Sequence, residues 1–498
     1  MRFTKTNLQI RSSADSENII SLILVLSCLA LFAFSWHMAS IRPVWCDEVF
    51  TYFQIQGETW SSFAERTTSG LNRMPPLYFA ICKLLFGHLE DPIFACRMLS
   101  SIFMCGSIIF LYLFLRFDLP QSWAASLAVA VTLPSDFFLS YCYEARPYGA
   151  AHAAMVLFLW LIRRSEEQTH SKKILAVLGL LCLLAPSFHY TFAISTTIIG
   201  CAHLATTTHS RKRLFMIYTI SGVIFALFNI PLIIEQAKFG NILAIIPYAS
   251  LSVAKDFLAM VIPPATCLLL LALTTYGFCI VSRRLPEKTD KRPLPRLVFA
   301  MLIAFAIIPT LGFVGSRIVP NFWFLPRYYL STLLIPAFLF LPTLYHLAQY
   351  NFSKLSRTIP LWVCVLTSLV SLNTHAREFD HLFKKPQDYS YALLPDSSLQ
   401  EVDVPIITND LILWFCYHYA GIQSLHYYTS DYKQSKHLKS YLPGKLILQD
   451  LEGLDNFLYI KTVGHALPRF ELKNYHVINR NDYHIDPVHK ILEFERKF

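Results

Sequence analysis

The sequence predicts a polytopic α-helical membrane protein with a small C-terminal α/β domain, and three observations carry that prediction. Of 498 residues, 54% are hydrophobic and 15% charged, and the mean hydropathy is +0.43. A soluble domain of this length and composition would expose a large apolar area. Apolar runs close to the ~20 residues needed to cross ~30 Å of hydrocarbon recur from residue 19 to about residue 374. From about Asn373 onward Lys, Asp, Tyr and His mix with short apolar pieces such as Pro405-Ile406-Ile407 and Lys445-Leu446-Ile447-Leu448. Strand-length runs alternate there with helix-like ones, as a domain of roughly 120 residues would have them.

The first apolar run, 19–36, has a long core and no convincing small-x-small cleavage site, so it reads as an uncleaved anchor. Arg2, Lys5 and Arg11 precede it and argue for a cytoplasmic start. Later basic clusters each lie between two apolar runs: Arg163, Arg164, Lys172 and Lys173; Arg211, Lys212 and Arg213; Arg283 and Arg284 through Lys291, Arg292 and Arg296; Lys354 and Arg357. The positive-inside bias assigns them all to the cytoplasm. Helices are then expected at about 94–115, 121–141, 148–162, 174–190, 191–207, 214–235, 256–282, 297–318, 329–350 and 360–374. With the anchor they make about eleven spans, an odd number that puts the C-terminal part outside.

Two shorter segments follow the anchor. Thr51 to Arg66, with Phe53, Trp60 and Phe63 among polar residues, reads as a helix lying in the membrane interface. Pro75 to Gly87 is too short to cross comfortably and reads as an amphipathic or re-entrant helix, starting at Pro75-Pro76 where missing amide protons suit a first turn. Were it to span, the total would rise to twelve or thirteen. The expected organisation is a transmembrane domain over 1–374, with outer-face juxtamembrane helices at about 50–88, followed by a soluble extracytoplasmic α/β domain over 375–498.

The net charge of +10 does not mark a nucleic-acid binder, because the bases cluster in short loops between apolar runs and report topology. Eleven of the twelve cysteines fall within or beside apolar segments, and Cys416 stands alone in the C-terminal part, where it cannot form an internal bridge.

Two adjacent carboxylates, Asp47 and Glu48, directly follow the anchor, where entry into hydrocarbon would cost several kcal/mol and ionisable groups usually have a use. Polar residues at the outer ends of later helices fall on the same predicted face. They are Arg73-Met74-Pro75-Pro76-Leu77-Tyr78, Tyr143-Glu144-Ala145-Arg146-Pro147-Tyr148, His189-Tyr190 and Arg327-Tyr328. Each has a plain structural reading: Arg146 as a snorkelling cation, His189 as a hydrogen-bonded core histidine, Tyr148, Tyr190 and Tyr328 as aromatic-belt residues. Together they supply carboxylates, cations and phenols suited to transfer of a group from a phosphate. Arginine matches phosphate oxygens bidentately, and a carboxylate within reach of an acceptor hydroxyl acts as a general base.

In that order the set Asp47-Glu48, Pro75-Pro76-Leu77-Tyr78, Glu144-Ala145-Arg146-Pro147-Tyr148, His189-Tyr190 and Arg327-Tyr328 resembles the GT-C glycosyltransferases of the dolichyl-phosphate-mannose protein mannosyltransferase and lipid A aminoarabinose transferase type. The resemblance covers about residues 20–350. It implies a polyprenyl-phosphate-linked sugar donor, an outward catalytic pocket and inversion at the anomeric carbon, in the inner (plasma) membrane of a bacterium. It assigns Asp47 as general base with Glu48 in support, Glu144 as a further catalytic acid, Arg146 and Arg327 at the donor phosphate, and Tyr78, Tyr148, His189, Tyr190 and Tyr328 along the substrate cavity. Two residues depart from the pattern. Met74 stands where relatives often carry histidine, and Pro147 replaces a residue more often apolar, so a helix is expected to start at Pro147 with Arg146 extended before it. No cofactor is required; a divalent cation, Mg or Mn, held by Asp47 and Glu144 is compatible with the donor set. The acceptor, whether protein, glycolipid or polysaccharide, is not specified. The rival readings are a transporter or flippase of lipid-linked sugars, against which stand charges grouped at one face and the lack of a repeat, and a non-catalytic envelope scaffold.

Overall fold

The computed structural model describes residues 14–238 except 43, 45, 57, 58, 70, 71, 169, 170, 208 and 209, scattered positions within 255–275, then 296–318, 326–348 and 354–383. Beyond residue 400 it describes six strands with residues 405, 414 and 419. The chain divides into two compact units: 1–38, 97–227 and 245–376 form the first, and 39–96, 228–244 and 377–498 the second.

The first unit is helical. It takes in most of α1 (Ala14–Ile41) and α5 (Pro92–Leu115), then α6 (Gln121–Thr132), α7 (Asp136–Ser140), a 3-10 turn (Tyr141–Tyr143), α8 (Tyr148–Glu167), α9 (Lys172–Phe188), α10 (Thr191–Thr206) and most of α11 (Arg211–Lys238). After these come α12 (Arg296–Ile318), a second 3-10 segment (Pro326–Leu334), α13 (Ile335–Ala348) and most of α14 (Lys354–Phe383). Among the described residues α1, α5, α11 and α12 are long and apolar enough to cross a membrane, and α6 with α7 makes a fifth if the bent pair is one span. The chain is an integral membrane protein. The span expected at 256–282 and the basic cluster at 283–292 lie outside the described residues.

The run expected as one helix over 121–141 is instead broken, and the axes of its two pieces differ by 73°. Pro134 donates no amide proton and its ring crowds the carbonyl one turn back, while Leu133 before it keeps helical angles (φ −65°, ψ −29°). Ser135 restarts the chain as a cap, its Oγ accepting from Phe138 N at 3.3 Å. The 329–350 segment likewise begins as a 3-10 turn at Pro326 and kinks at Tyr329 (φ −114°, ψ 29°) before α13. The helix expected from Pro147 starts at Tyr148, directly after the proline.

The core of this unit surrounds α6 and α8. Eleven of the twelve residues of α6 are buried, whereas α11 exposes Phe215, Met216, Leu227 and Phe228. Serines and threonines in these helices return their hydroxyls to carbonyls one turn back, as Ser126 does to Ser122 and Thr132 to Ala128, both at 2.7 Å. Polar atoms are thereby satisfied without water.

The second unit holds α2 (Cys46–Ile55), α3 (Trp60–Thr68) and α4 (Leu77–Phe86). The single interfacial helix expected over 51–66 is two helices, because Thr59 caps a new start by accepting from Ser62 N at 3.1 Å. Buried amides join the helices. Asn72 Nδ2 donates to Gln54 Oε1 at 2.6 Å, Gln54 Nε2 to Thr67 Oγ1 at 3.1 Å, and Gln236 Nε2 to Thr67 O at 3.0 Å. Arg66 donates to the carbonyls of Phe53 and Gln56.

The same unit contains a six-stranded mixed sheet of β1 (Ile406–Thr408), β2 (Leu425–Tyr428), β3 (Ile447–Leu448), β4 (Asn456–Thr462), β5 (Tyr475–Asn479) and β6 (His489–Arg496). Its order is β3-β2-β1-β4-β6-β5, parallel through β3, β2, β1 and β4 and antiparallel through β4, β6 and β5. The juxtamembrane helices expected at about 50–88 thus fall, within residues 39–96, in one compact unit with the C-terminal strands. One contact between them is the edge-to-face pair of Tyr52 and Tyr419, with ring centroids 4.8 Å apart.

Candidate active site

In the first unit the site is a turn held between two helices. After the Leu133–Ser135 break the chain makes α7 and its 3-10 turn, then goes extended at Glu144 (φ −112°, ψ 128°). Arg146 N donates back to Glu144 O at 2.8 Å, a three-residue reversal around Ala145. Ser100 of α5 donates its hydroxyl to Arg146 O at 3.3 Å and pins the turn from the side. Gly149 makes that approach possible, since a β-carbon there would stand 3.1 Å from Ser100 O and 3.2 Å from Met104 Cγ. The result is a carboxylate and a guanidinium two residues apart and both buried, Glu144 at 7% and Arg146 at 4% exposure. Desolvating two charges costs several kcal/mol per ion unless each is paired and hydrogen-bonded, and such pairs in membrane proteins mark functional sites.

Tyr148, the first residue of α8, is also buried, and its ring contacts those of Tyr141 and His189, with centroids 5.0 and 5.4 Å away. His189 follows Pro186 and the end of α9 in an extended conformation (φ −155°, ψ 129°). The amide N–H of Thr191 can only donate, and it reaches His189 Nδ1 at 3.3 Å, with Thr191 Oγ1 at 2.8 Å. Nδ1 is therefore an acceptor and the neutral ring carries its proton on Nε2. Tyr190 opens α10 beside it. Arg327 and Tyr328 lie on the 3-10 segment that packs against α7, α8 and α10; their side chains are outside the description. Their neighbour Tyr329 is buried against α12, where a β-carbon at Gly312 would overlap its phenol.

The other predicted residues sit in the second unit. Asp47 and Glu48 form the first turn of α2, where the positive end of the helix dipole favours carboxylates. Glu48 is fully buried and Asp47 half-buried. Tyr78 is fully buried on α4 and donates its hydroxyl to Cys96 O at 3.3 Å, which ties α4 to the start of α5. Behind them, Lys83 donates to Ile55 O at 3.3 Å and covers the Trp60 ring. Burial, then the nearby Arg66, holds its ammonium below the ordinary lysine range.

Sequence reasoning did not find three residues that build the first-unit site. Ser100 is one of many helix serines, Tyr329 looks equivalent to Tyr328 beside it, and His375 meets Tyr143 only through tertiary structure. Among the described residues no three His, Cys, Asp or Glu side chains gather to hold a metal ion.

A buried acid–base turn at the end of an apolar helical bundle defines a polytopic membrane protein with a polar site at the helix ends. Its fold is similar to that of ArnT, a GT-C glycosyltransferase. The chain matches the crystal structure of ArnT, the lipid A aminoarabinose transferase, from Cupriavidus metallidurans bound to undecaprenyl phosphate. The TM-score is 0.56 at 11% identity, over 96% of this chain and 98% of that one. The apo state of the same ArnT matches at a TM-score of 0.45 and 11% identity over the same shares, 96% and 98%. The oligosaccharyltransferase AglB from Archaeoglobus fulgidus, in complex with an inhibitory peptide and a dolichol-phosphate, matches at 0.42 and 10% identity over 82% of this chain and 64% of that one. No family model and no curated protein matches the sequence.

Proposed function

We propose that this chain is a membrane glycosyltransferase that moves a sugar from a polyprenyl-phosphate carrier to an acceptor on the extracytoplasmic face, with inversion. The observation that carries the reading is the buried Glu144–Arg146 turn against Tyr148 and His189, in a fold shared with a protein crystallised on undecaprenyl phosphate.

In the proposed reaction Asp47 takes the proton of an acceptor hydroxyl or amine as that atom attacks the anomeric carbon. The bond to the carrier oxygen breaks, and polyprenyl phosphate leaves with its electron pair. Arg146 and Arg327 neutralise the phosphate as charge develops, an effect worth ~10²–10³-fold per preorganised donor. The leaving group is already an anion, so no strong general acid is needed. Glu144 orients Arg146, Glu48 supports Asp47, and Tyr78, Tyr148, His189, Tyr190 and Tyr328 line the sugar and acceptor side. The proposed steps use side chains alone, and whether a divalent cation held by Asp47 and Glu144 adds to them is tested by chelation. The C-terminal region is proposed to lie on the same face as the acid pair.

The test is turnover by purified protein in detergent, where transport has no meaning. Given an undecaprenyl-phosphate sugar and envelope acceptors, the protein releases undecaprenyl phosphate, keeps doing so in EDTA, and loses ~10²–10⁴-fold on Asp47→Asn. Carrier left unconsumed by the wild type, or full activity of the variant, overturns the reading.

A further inference from the structure

A cavity of about 420 Å³ opens between α9 and α11, within the ~300–1,000 Å³ range of ligand sites. The two helices pinch where Ser221 donates its hydroxyl to Gly179 O at 2.8 Å. A β-carbon on Gly179 would stand 3.0 Å from Ile217 Cγ2, so the pinch needs the glycine. From there a trough floored by Ala176 runs seven residues, ~10 Å at the helical rise, to the first turns of both helices. Its outer wall, Met216 and Ile220, is exposed and apolar.

Two cations stand at the open end, Lys172 as the first residue of α9 and Arg213 in the first turn of α11. Among the described residues no Asp or Glu lines the cavity. Neither cation makes an ion pair with a described residue, whereas Arg163 and Arg164 nearby in the sequence pair with Asp118, Glu166 and Glu167. The orphan N–H groups and positive dipole ends of two helices add to the field. This end is separated from the Glu144–Arg146 turn by the 20 residues of α8, ~30 Å of helical rise, and it carries the loops that the positive-inside bias assigns to the cytoplasm.

We infer that this trough binds an anionic glycerophospholipid, with one acyl chain along Ala176 and Ile220 and the phosphate between Lys172 and Arg213. Apolar walls disfavour a soluble anion as the occupant, and an end with two cations and no described acid disfavours a zwitterionic head. Basic pockets between membrane helices at the cytoplasmic side bind such heads.

The experiment is native mass spectrometry of the full chain released from mixed phosphatidylglycerol and phosphatidylcholine nanodiscs. The wild type retains phosphatidylglycerol with roughly 5- to 30-fold preference over phosphatidylcholine. The surface pair Lys172→Gln with Arg213→Gln brings that ratio to about one, and Ala176→Phe removes the retained lipid from a protein that stays monodisperse on gel filtration. An unchanged ratio in the double variant overturns the inference. So does displacement by millimolar inorganic phosphate, which makes it a free-anion site, or by undecaprenyl phosphate in preference to phosphatidylglycerol, which makes it a carrier site.

Discussion

The Tyr143 hydroxyl lies 3.0 Å from His375 Nε2 across 232 residues of chain, and His375 Nδ1 lies 3.1 Å from Asp136 Oδ1. An ionised Asp136 only accepts, so Nδ1 donates to it, and in the neutral ring Nε2 accepts from the phenol. Phe34 sets its edge against both rings, with centroids at 5.9 and 5.8 Å. The arrangement fixes the 3-10 turn immediately before Glu144. His375→Ala is expected to lower turnover by about 10-fold through misplacement of the turn, with KM for the carrier little changed. His375→Gln, which keeps an acceptor near Nε2, recovers part of the loss. Equal activity of both variants and wild type counts against a positioning role.

Arg146 presents a planar fork that a lysine cannot copy. Arg146→Lys is expected to lose ~10²–10³-fold in kcat/KM despite keeping the charge. Retention of rate with only a raised KM would place Arg146 in ground-state binding instead.

Three helix glycines differ in the space behind them. At Gly149 an added side chain meets backbone and Met104, at Gly312 it overlaps the Tyr329 phenol, and at Gly222 nothing lies within 4 Å. Gly149→Val is expected to destabilise by about 1–3 kcal/mol through overpacking. Gly312→Ala should lower the unfolding temperature in detergent and recover when combined with Tyr329→Ala. Gly222→Ala is expected to stabilise by about 0.5–1 kcal/mol through helix propensity. A uniform response at all three positions would contradict the packing described.

Asp118 and Glu166 share Arg163, at 2.8 and 3.2 Å. Burial nonetheless raises both carboxyls above their ordinary values of 3.8 and 4.5, with Arg163 opposing. In the window from those values up to the raised ones, the folded state holds protons that the unfolded state has released. Stability therefore falls as pH rises through that window, and the penalty is fully present above it. Thermal unfolding followed from pH 4 upward should show this decline, and Asp118→Asn should flatten it. A rise with pH over the same range would contradict the sign.

Hydropathy made the ends of straight helices legible. The expected 94–115 and 191–207 became Pro92–Leu115 and Thr191–Thr206, because a run of apolar residues has one way to satisfy its backbone in lipid. The break at Leu133-Pro134-Ser135 was written in a proline and a capping serine but masked by the apolar run around them. Of the ordered set of motifs, Glu144, Arg146, Tyr148 and His189 fall in the first unit, and Asp47, Glu48 and Tyr78 in the second. Ser100 under Arg146, His375 beside Tyr143 and Gly312 against Tyr329 were not legible, since nothing local says which distant side chain a helix will meet. The grouping of 39–96 with the C-terminal strands is tertiary in the same way.

The bend after Thr132 has one more consequence. Irregular backbone at bilayer depth is tolerated only where protein or water covers it, and α6 is covered by protein along nearly its whole length, while α11 leaves most of its surface uncovered by protein. Fitness for a given membrane and fitness for a given chemistry are therefore written in different helices. Adaptation to a thicker or colder bilayer can proceed through the outer rods without disturbing the inner, broken one that carries the polar turn.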